Sequence, residues 1–247
     1  MARRRDLRRF GPGPYVTALR RDEAAWGSGF PFDVPAVAAA GDLALDAPVT
    51  LLAGDNGTGK STLIEAIAEA MGFAPEGGEL TRLGELPAVP RPVLDGALAP
   101  VLTTTKPRNG YFLRAESFFN LATQVDELGV NGYGSKSLHA QSHGESFLAL
   151  MMNRFRGDGL YILDEPEAAL SPNRQLAMLA RMHDLVRDAS QFLIATHSPI
   201  LMAYPDATIL SCDGDRIHEV AYEETEHYIV TKDFLNHRER MLRELLG

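Results

Sequence analysis

Apolar residues along the chain occur in short unbroken runs and in longer runs with helical spacing. The unbroken runs are typical of buried strands in a parallel sheet and cover 49–53, 160–163 and 192–195. Helical spacing predicts amphipathic helices over 63–71, 117–128, 147–155 and 176–186. A chain of 247 residues with this mixture has room for one large α/β domain or two small ones.

Weaker patterns predict the remaining strands. We expect an edge strand over 15–19, a strand over 110–116, and a hairpin of 208–212 with 216–221 around the turn residues Asp213, Gly214 and Asp215. The aromatic and proline residues of 26–37 predict a short strand with turns rather than a helix. The segment 75–107 is rich in Pro, Gly and Leu and predicts a loop, a lid or short strands.

Capping residues predict where several helices begin and end. Thr62 is expected to open a helix that stops at Gly72, and Ser142 with Glu145 has the spacing of a capping box. Ser171 is expected to cap a helix that starts at Pro172. Thr231 or Asp233 is expected to open a charged terminal helix from about Phe234 to Leu246.

Composition and charge exclude several classes of protein. No apolar stretch is long enough to span a membrane, and the arginine-rich start lacks the apolar region of a secretory signal, so we expect a cytoplasmic protein. Cys212 is the only cysteine, which rules out an intramolecular disulfide. The net charge of −9 leaves only local patches for nucleic acid. A cluster at the start is either a flexible arm or a phosphate-binding arm: Arg3, Arg4, Arg5, Arg8 and Arg9.

The strand at 49–53 leads into a glycine-rich segment with the spacing of a P-loop. Glycines let the backbone turn sharply and present N–H groups to a triphosphate, while Lys60 reaches its β- and γ-phosphates and the Ser61 hydroxyl suits Mg²⁺. The helix that follows directs its positive dipole end at the phosphates. The candidate phosphate-binding residues are Gly54, Asn56, Gly57, Thr58, Gly59, Lys60, Ser61 and Thr62.

Aromatic residues near the N-terminus provide candidates for stacking on an adenine ring. Tyr15, Trp26, Phe30 and Phe32 precede the P-loop, where such a ring needs a flat apolar surface. Each of them could equally belong to the core, and the sequence does not choose among them.

Two acidic residues follow the apolar strand at 160–163. In an open α/β sheet, ligands bind at the carboxyl ends of the strands, so Asp164 is placed to hold Mg²⁺ through water, opposite Ser61. Glu165 is placed to orient and polarise the water that attacks the γ-phosphate. On their own the two residues could form an ordinary turn at a strand end, and the P-loop is what favours the catalytic interpretation.

At this point the chain resembles the ATP-binding-cassette ATPases. Gly54–Ser61 is similar to their Walker A motif, Leu160–Glu165 to Walker B with its catalytic glutamate, and His197, after Ile-Ala-Thr, to their switch histidine. A lone histidine is usually structural, and only this placement suggests contact with the γ-phosphate. The resemblance implies a P-loop NTPase fold, with a mixed sheet flanked by helices, as one domain over 1–247. Its helical signature-bearing part would cover about 111–158.

The resemblance also implies a dimer. Gln141–Glu145 corresponds in part to the family's signature motif, in which Ser142 and Gly144 are retained and would bind the γ-phosphate held by a second subunit. Two chains would then enclose two ATP molecules and separate after hydrolysis. Glu116 stands where the family has a lid glutamine that contacts the metal, and Ser171 stands where an aspartate is common.

Several functions are compatible with these motifs. The pattern Glu165–Pro172 is more similar to soluble SMC-, RecF- and OLD-type heads than to transporter cassettes, but only about 80 residues separate Lys60 from Ser142, too few for a long coiled coil. We expect a soluble ATPase that forms an ATP-dependent homodimer and drives a protein partner. A DNA-associated switch and, less favoured, a transporter subunit are the alternatives. A P-loop kinase would leave Ser142 and His197 unexplained.

Overall fold

The structure is a computed structural model, and it describes residues 14–80, 97–114, 143–214 and 216–247. Its strands are β1 (Val16–Arg21), β2 (Val49–Ala53), β3 (Gly78–Glu79), β4 (Leu98–Leu102), β5 (Asn109–Arg114), β6 (Gly159–Asp164), β7 (Gln191–Ala195), β8 (Thr208–Asp213) and β9 (Arg216–Val220). Its α-helices are α1 (Pro35–Ala38), α2 (Lys60–Ala70), α3 (His143–Arg154), α4 (Pro172–Arg187), α5 (Pro199–Met202) and α6 (Glu226–Leu246). Short 3₁₀ helices cover Pro166–Ala169 and Tyr222–Glu224.

A mixed sheet forms the centre of the fold. Its seven strands lie in the order β3-β5-β6-β7-β2-β8-β9. The inner strands β5, β6, β7, β2 and β8 are parallel, whereas β3 and β9 add to the two edges in antiparallel orientation. The expected mixed sheet flanked by helices is therefore confirmed.

The register of the parallel strands brings their carboxyl ends to one edge. Asp164 at the end of β6 pairs with Ala195 at the end of β7 and with Arg114 at the end of β5. Ala195 also pairs with Leu52, one residue before β2 ends. Residues that follow β2, β6 and β7 therefore share one site, although they are distant in sequence.

Alternating side chains of the sheet build a core on each face. One core packs α2 against Leu52, Phe112 and Ile162, and includes Leu63, Ile64 and Ile67 of that helix. The other packs α3 and α4 against Leu51, Tyr161 and Ile194, through Phe147, Met178 and Met182. The parallel strands are buried on both faces because helices cover both, as their unbroken apolar runs predict.

A second, two-stranded sheet pairs β1 with β4 in antiparallel orientation. The side-chain amide of Gln191, at the start of β7, joins it to the main sheet. Its Oε1 accepts hydrogen bonds from the backbone N–H groups of Tyr15 (2.8 Å) and Val16 (2.9 Å). Its Nε2 donates to the carbonyls of Val16 (2.8 Å) and Leu45 (3.0 Å). The expected edge strand at 15–19 thus belongs to this smaller sheet.

Three local predictions are wrong. No strand forms within 26–37, because Pro35 takes the first position of the short helix α1 and turns precede it. Helix α2 begins at Lys60 rather than Thr62, since Gly59 adopts the left-handed conformation just before it. The terminal helix begins at Glu226 rather than near Phe234, because the Thr225 hydroxyl accepts a hydrogen bond from Tyr228 N and caps it.

Other predicted features agree with the structure or lie outside it. Gly72 has the positive φ of 87° expected of a helix stop, and the β8–β9 hairpin forms. Ser171 occupies the N-cap position of α4 but makes no capping hydrogen bond through its side chain. The helix expected over 117–128 and the N-terminal arginine cluster lie outside the described residues. None of the described helices combines the length and apolar character needed to span a bilayer.

Candidate functional site

The P-loop connects the buried strand β2 to helix α2. Gly54, Gly57 and Gly59 have φ values of 145°, 81° and 92°, which side chains rarely allow. Close contacts add to this requirement, since a Cβ on Gly54 would lie 2.6 Å from the carbonyl oxygen of Cys212. A Cβ on Gly59 would lie 2.0 Å from Val34 Cγ1. All three glycines are therefore needed for the turn, and Gly54 and Gly59 are needed for the packing around it as well.

Lys60, the first residue of α2, is held inside this loop. Its side chain is buried, and Nζ donates hydrogen bonds to the carbonyl oxygens of Gly54 (2.8 Å) and Asp55 (2.7 Å). Burial lowers its pKa, while the nearby acidic groups Glu165 and Asp164 and the Cys212 thiol act in the opposite direction. The ammonium is thus fixed beside the helix N-terminus, where it adds to the positive end of the helix dipole.

Ser61 and Asp164 join the P-loop to the end of β6. The Ser61 hydroxyl donates a hydrogen bond of 3.0 Å to Asp164 Oδ1, although 103 residues separate them in sequence. Burial raises the pKa of Asp164 to about 6, and the charge of Glu165 adds to the rise. The hydrogen bond from Ser61 and the charge of Arg114 oppose it. The pair presents two oxygen ligands at the edge of the sheet.

Arg114, which the sequence analysis missed, lies next to this pair. Its Nη2 is 2.7 Å from Glu65 Oε1 on α2, and its Nε is 4.0 Å from Asp164 Oδ2. The strand register makes Arg114 the neighbour of Asp164 across β5 and β6. The sequence offered one signal for Arg114. It lies at the carboxyl end of the strand that precedes β6 in sequence, and ligands bind at the carboxyl ends of strands in such sheets.

Glu165 and His197 face each other across the ends of β6 and β7. His197 Nε2 lies 3.3 Å from Glu165 Oε1. Glu165 has the positive φ of 48°, an uncommon conformation for a residue with a side chain, and strain of this kind often occurs at functional sites. Burial lowers the pKa of His197, and the charge of Lys60 lowers it further while Glu165 opposes. The imidazole is consequently neutral near pH 7, so one ring nitrogen is a hydrogen-bond donor and the other is an acceptor.

Two further side chains hold His197 and were not predicted as site residues. Glu167 Oε1 accepts a hydrogen bond of 2.5 Å from His197 N. His227, from the first turn of α6, places Nε2 3.1 Å from His197 Nδ1. No local sequence pattern indicates either contact, because both depend on elements that meet only in the folded chain.

The remaining predicted site residues that the structure describes lie in the P-loop, in the first turn of α2 and at the start of α3. Asn56 is exposed in the P-loop, where the Thr58 hydroxyl donates to the Asp55 carbonyl (2.9 Å), and Thr62 lies in the first turn of α2. Gly144 is buried in α3, where a Cβ would lie 2.7 Å from Ala169 O. Ser142 and Glu116 lie outside the described residues.

The candidate adenine-stacking residues differ in exposure. Tyr15 is a core residue, and its hydroxyl donates to Ala189 O (2.8 Å), so it has no face to offer a ligand. Trp26 packs edge-on against Phe32 with ring centroids 5.3 Å apart, and the Arg21 guanidinium covers its ring at 3.8 Å. Phe30 is 80% exposed. Tyr15 is therefore excluded, whereas Phe30 presents an open ring.

The residues at this edge fit a Mg²⁺ ion and a triphosphate. A hydroxyl and a carboxylate oxygen are ligands that Mg²⁺ prefers, and this ion usually takes only one or two protein ligands together with phosphate oxygens and water. No group of three or more His, Cys, Asp or Glu that could hold a metal occurs in the described part of the chain. The lysine, the glycine-lined loop and the start of α2 supply the positive charge and N–H donors that phosphates require.

Comparisons with known proteins agree with this geometry. A family model described as an AAA domain matches residues 39–82, which contain the P-loop. The thiamine import ATP-binding protein ThiQ of a Jannaschia species is 31% identical over 162 residues, covering 59% of this chain and 69% of that protein. A Streptomyces coelicolor protein, provisionally named an ABC transporter ATP-binding protein, is 27% identical over 230 residues, covering 83% of this chain and 78% of its own.

A solved structure supports the fold. That structure is cbiO1 from Clostridium perfringens, described as part of the ABC transporter complex cbiONQ. It matches 93% of this chain and 99% of its own length, with a TM-score of 0.51 and 16% sequence identity. At this identity the likeness concerns the arrangement of helices and strands.

Proposed function

Because the chain belongs to the ATP-binding-cassette ATPases, which are ATP hydrolases, we propose that it binds Mg-ATP between the P-loop and the end of β6. ATP hydrolysis there drives a conformational cycle in a partner. The observation that carries the proposal is the 3.0 Å contact between Ser61 Oγ and Asp164 Oδ1, since it joins the phosphate-binding and acidic halves of the site.

Each residue at the site has a role that follows from its chemistry. The P-loop N–H groups and the Lys60 ammonium bind the β- and γ-phosphates, and Ser61 and Asp164 hold the magnesium ion. When bound, the ion neutralises charge on the phosphate oxygens. Glu165 orients the attacking water and accepts a proton at a carboxylate oxygen. His197 faces Glu165 and presents Nε2 toward the same space.

The active form in this proposal is a homodimer. Ser142 and Gly144 at the start of α3 contact the nucleotide held by the second chain, and each chain completes the other's site. Within one chain, Gly144 packs closely against the 3₁₀ helix that follows Glu165, since a Cβ on Gly144 would lie 2.7 Å from Ala169 O. We propose that residues 1–247 act as one domain in this cycle.

The partner is the open part of the proposal, and two candidates have specific support. The names of ThiQ and of the Streptomyces protein favour a membrane transporter subunit as the partner. The Pro166–Glu167 pattern favours a partner of the kind served by DNA-associated heads. Copurification with a membrane protein supports the first, and a salt-dependent rise in the ATPase rate on adding DNA supports the second.

The decisive test is the variant Glu165→Gln. It retains the oxygen and shape of the side chain but loses the base, so we expect it to bind ATP, hydrolyse it at least about 100-fold more slowly and accumulate as a dimer. Light scattering with ATP and Mg²⁺ measures the mass, and phosphate release measures turnover. A variant that binds ATP but stays monomeric contradicts the dimer.

Two further variants separate binding from dimerisation. Lys60→Ala should lose nucleotide binding, because it removes the buried ammonium at the P-loop. Ser142→Arg, added to Glu165→Gln, should bind ATP and remain monomeric. Loss of ATP binding in the latter would mean that Ser142 is not at the dimer contact.

A further inference from the structure

Helix α6 reaches the site only through its first turn. Thr225 is buried and caps the helix by accepting a hydrogen bond from Tyr228 N (3.4 Å), whereas none of the residues of α6 itself is buried. His227, in this turn, nevertheless lies with Nε2 3.1 Å from His197 Nδ1, and the two ring centroids are 5.2 Å apart. The C-terminal helix thus adds a second imidazole directly behind the one that faces Glu165.

The two contacts of His197 together select one tautomer. A carboxylate only accepts hydrogen bonds, so Glu165 Oε1, 3.3 Å away, favours a proton on His197 Nε2. A neutral imidazole carries one proton, which leaves Nδ1 as an acceptor. His227 must then donate from Nε2–H to His197 Nδ1. The proton on His197 Nε2 lies beside the negative charge of Glu165 Oε1, 3.3 Å away, without the alignment of a hydrogen bond.

The surroundings keep both rings neutral, as this arrangement requires. Burial lowers the pKa of His197, with Lys60 and His227 acting in the same direction and Glu165 opposing. Burial also lowers the pKa of His227, where Lys60 adds to the effect and Asp55 and Glu226 oppose it. Two imidazolium ions could not share the contact, because each would be only a donor.

We propose that His227 is a positioning residue that holds His197 in its Nε2–H tautomer, so that His197 directs a donor at Glu165 and at the space beside it. The inference rests on the proposed ATPase function. His227 touches neither the reacting water nor the phosphates in this scheme, and it acts through His197. Its loss should therefore slow the chemical step and leave nucleotide binding nearly unchanged.

The test compares His227→Leu with His227→Gln. Leucine removes the donor, and we expect kcat to fall by about tenfold with KM changed by less than about twofold. Glutamine carries an N–H donor on a side chain of similar length and should restore most of kcat. His218→Leu, on the exposed face of β9, is the matched control and should behave like wild type. In a His197→Ala background, His227→Leu should have no further effect.

Nitrogen NMR of the imidazole rings tests the same contact without activity. Long-range ¹H–¹⁵N spectra of the nucleotide-free protein should show His197 protonated at Nε2 in wild type and in His227→Gln, and a mixture of tautomers in His227→Leu. An unchanged kcat in His227→Leu, or equal losses in the leucine and glutamine variants, overturns the inference. If wild type has no ATPase activity, the proposed function fails, and the NMR spectra alone decide whether His227 holds the tautomer.

Discussion

Asp164 is a buried carboxylate of the candidate site. It lies at the end of β6 with 6% of its surface exposed, and burial raises its pKa to about 6. A carboxylate whose pKa is raised in the folded state binds protons more readily there than in the unfolded chain. The charged form of Asp164, which Mg²⁺ binding would require, therefore lowers the stability of the folded protein.

Asp164→Asn should reveal this cost through its pH dependence. Below about pH 4 the two proteins should be equally stable, because Asp164 is then protonated in both states. As the pH rises through about 6, wild type loses that stability and the variant does not, so above pH 7 the variant should be more stable by about 1 to 3 kcal/mol. Urea unfolding of the nucleotide-free proteins between pH 4 and 8 measures the difference.

The same substitution at an exposed position is the control. Asp206→Asn, on a surface turn, removes an exposed carboxylate in the same way and is measured over the same pH range. Asp164→Asn should also lose ATP turnover, since an amide is a poor ligand for Mg²⁺. A variant that is less stable than wild type at pH 8 would contradict the account of burial given for Asp164.

The candidate site residues that sequence reasoning predicted belong to local motifs. Lys60, Ser61 and Asp164 follow strands at spacings that chemistry explains, and the structure brings them together. Arg114 and His227 were missed because their contacts depend on which strands are neighbours and on where a distant helix begins. Neither fact is encoded in a local pattern.

Among the elements, α6 combines a first turn that contacts His197 with a remainder that has no buried residue. The helix departs from helical geometry at His237, where φ is −131° and ψ is 34°. Beyond that point Leu245 and Leu246 are 71% and 80% exposed. The contribution of α6 to the site therefore lies in the turn that contains His227.

Two truncations should separate the parts of α6. A chain ending at His237 keeps the contact with His197, and we expect its kcat and melting temperature to match wild type closely. A chain ending at Thr225 should lose about as much kcat as His227→Leu and still unfold cooperatively, because it removes no buried residue. Phosphate release and calorimetry measure both. A large loss of kcat in the longer truncation would show that the exposed part takes part in turnover.

Element prediction succeeded where burial and turn chemistry agree. Strands β2, β6 and β7 are buried along their whole length and appear in sequence as unbroken apolar runs. The prediction for 26–37 was wrong because the aromatic residues suggested a strand, whereas Pro35 favours the start of a helix. The start of helix α6 was predicted wrongly because its first turn has no apolar stripe. Its polar residues instead pack against a site that is distant in sequence.

At the scale of the whole molecule, strand order assembles the site. Strand β7 lies between β2 and β6, so the P-loop and Asp164 are two strands apart with His197 following the strand between them. Sequence patterns predicted that ligands bind at the carboxyl ends of the strands. They did not predict the order of the strands, because that order depends on long-range pairing. The smaller β1–β4 sheet was likewise beyond local patterns, since the side chain of Gln191 attaches it.

The packing of Cys212 against Gly54 gives the molecule a built-in chemical reporter. This thiol is 2% exposed, so alkylating reagents reach it when the structure around it opens locally, and burial also raises its pKa to about 11. Being the only cysteine in the chain, it yields a single labelling rate. Saturation with Mg-ATP at 100 times its Kd should slow labelling by about 100-fold. An unchanged rate, measured by mass spectrometry against a Cys212→Ser blank, would mean that nucleotide binding does not restrain the opening of this region.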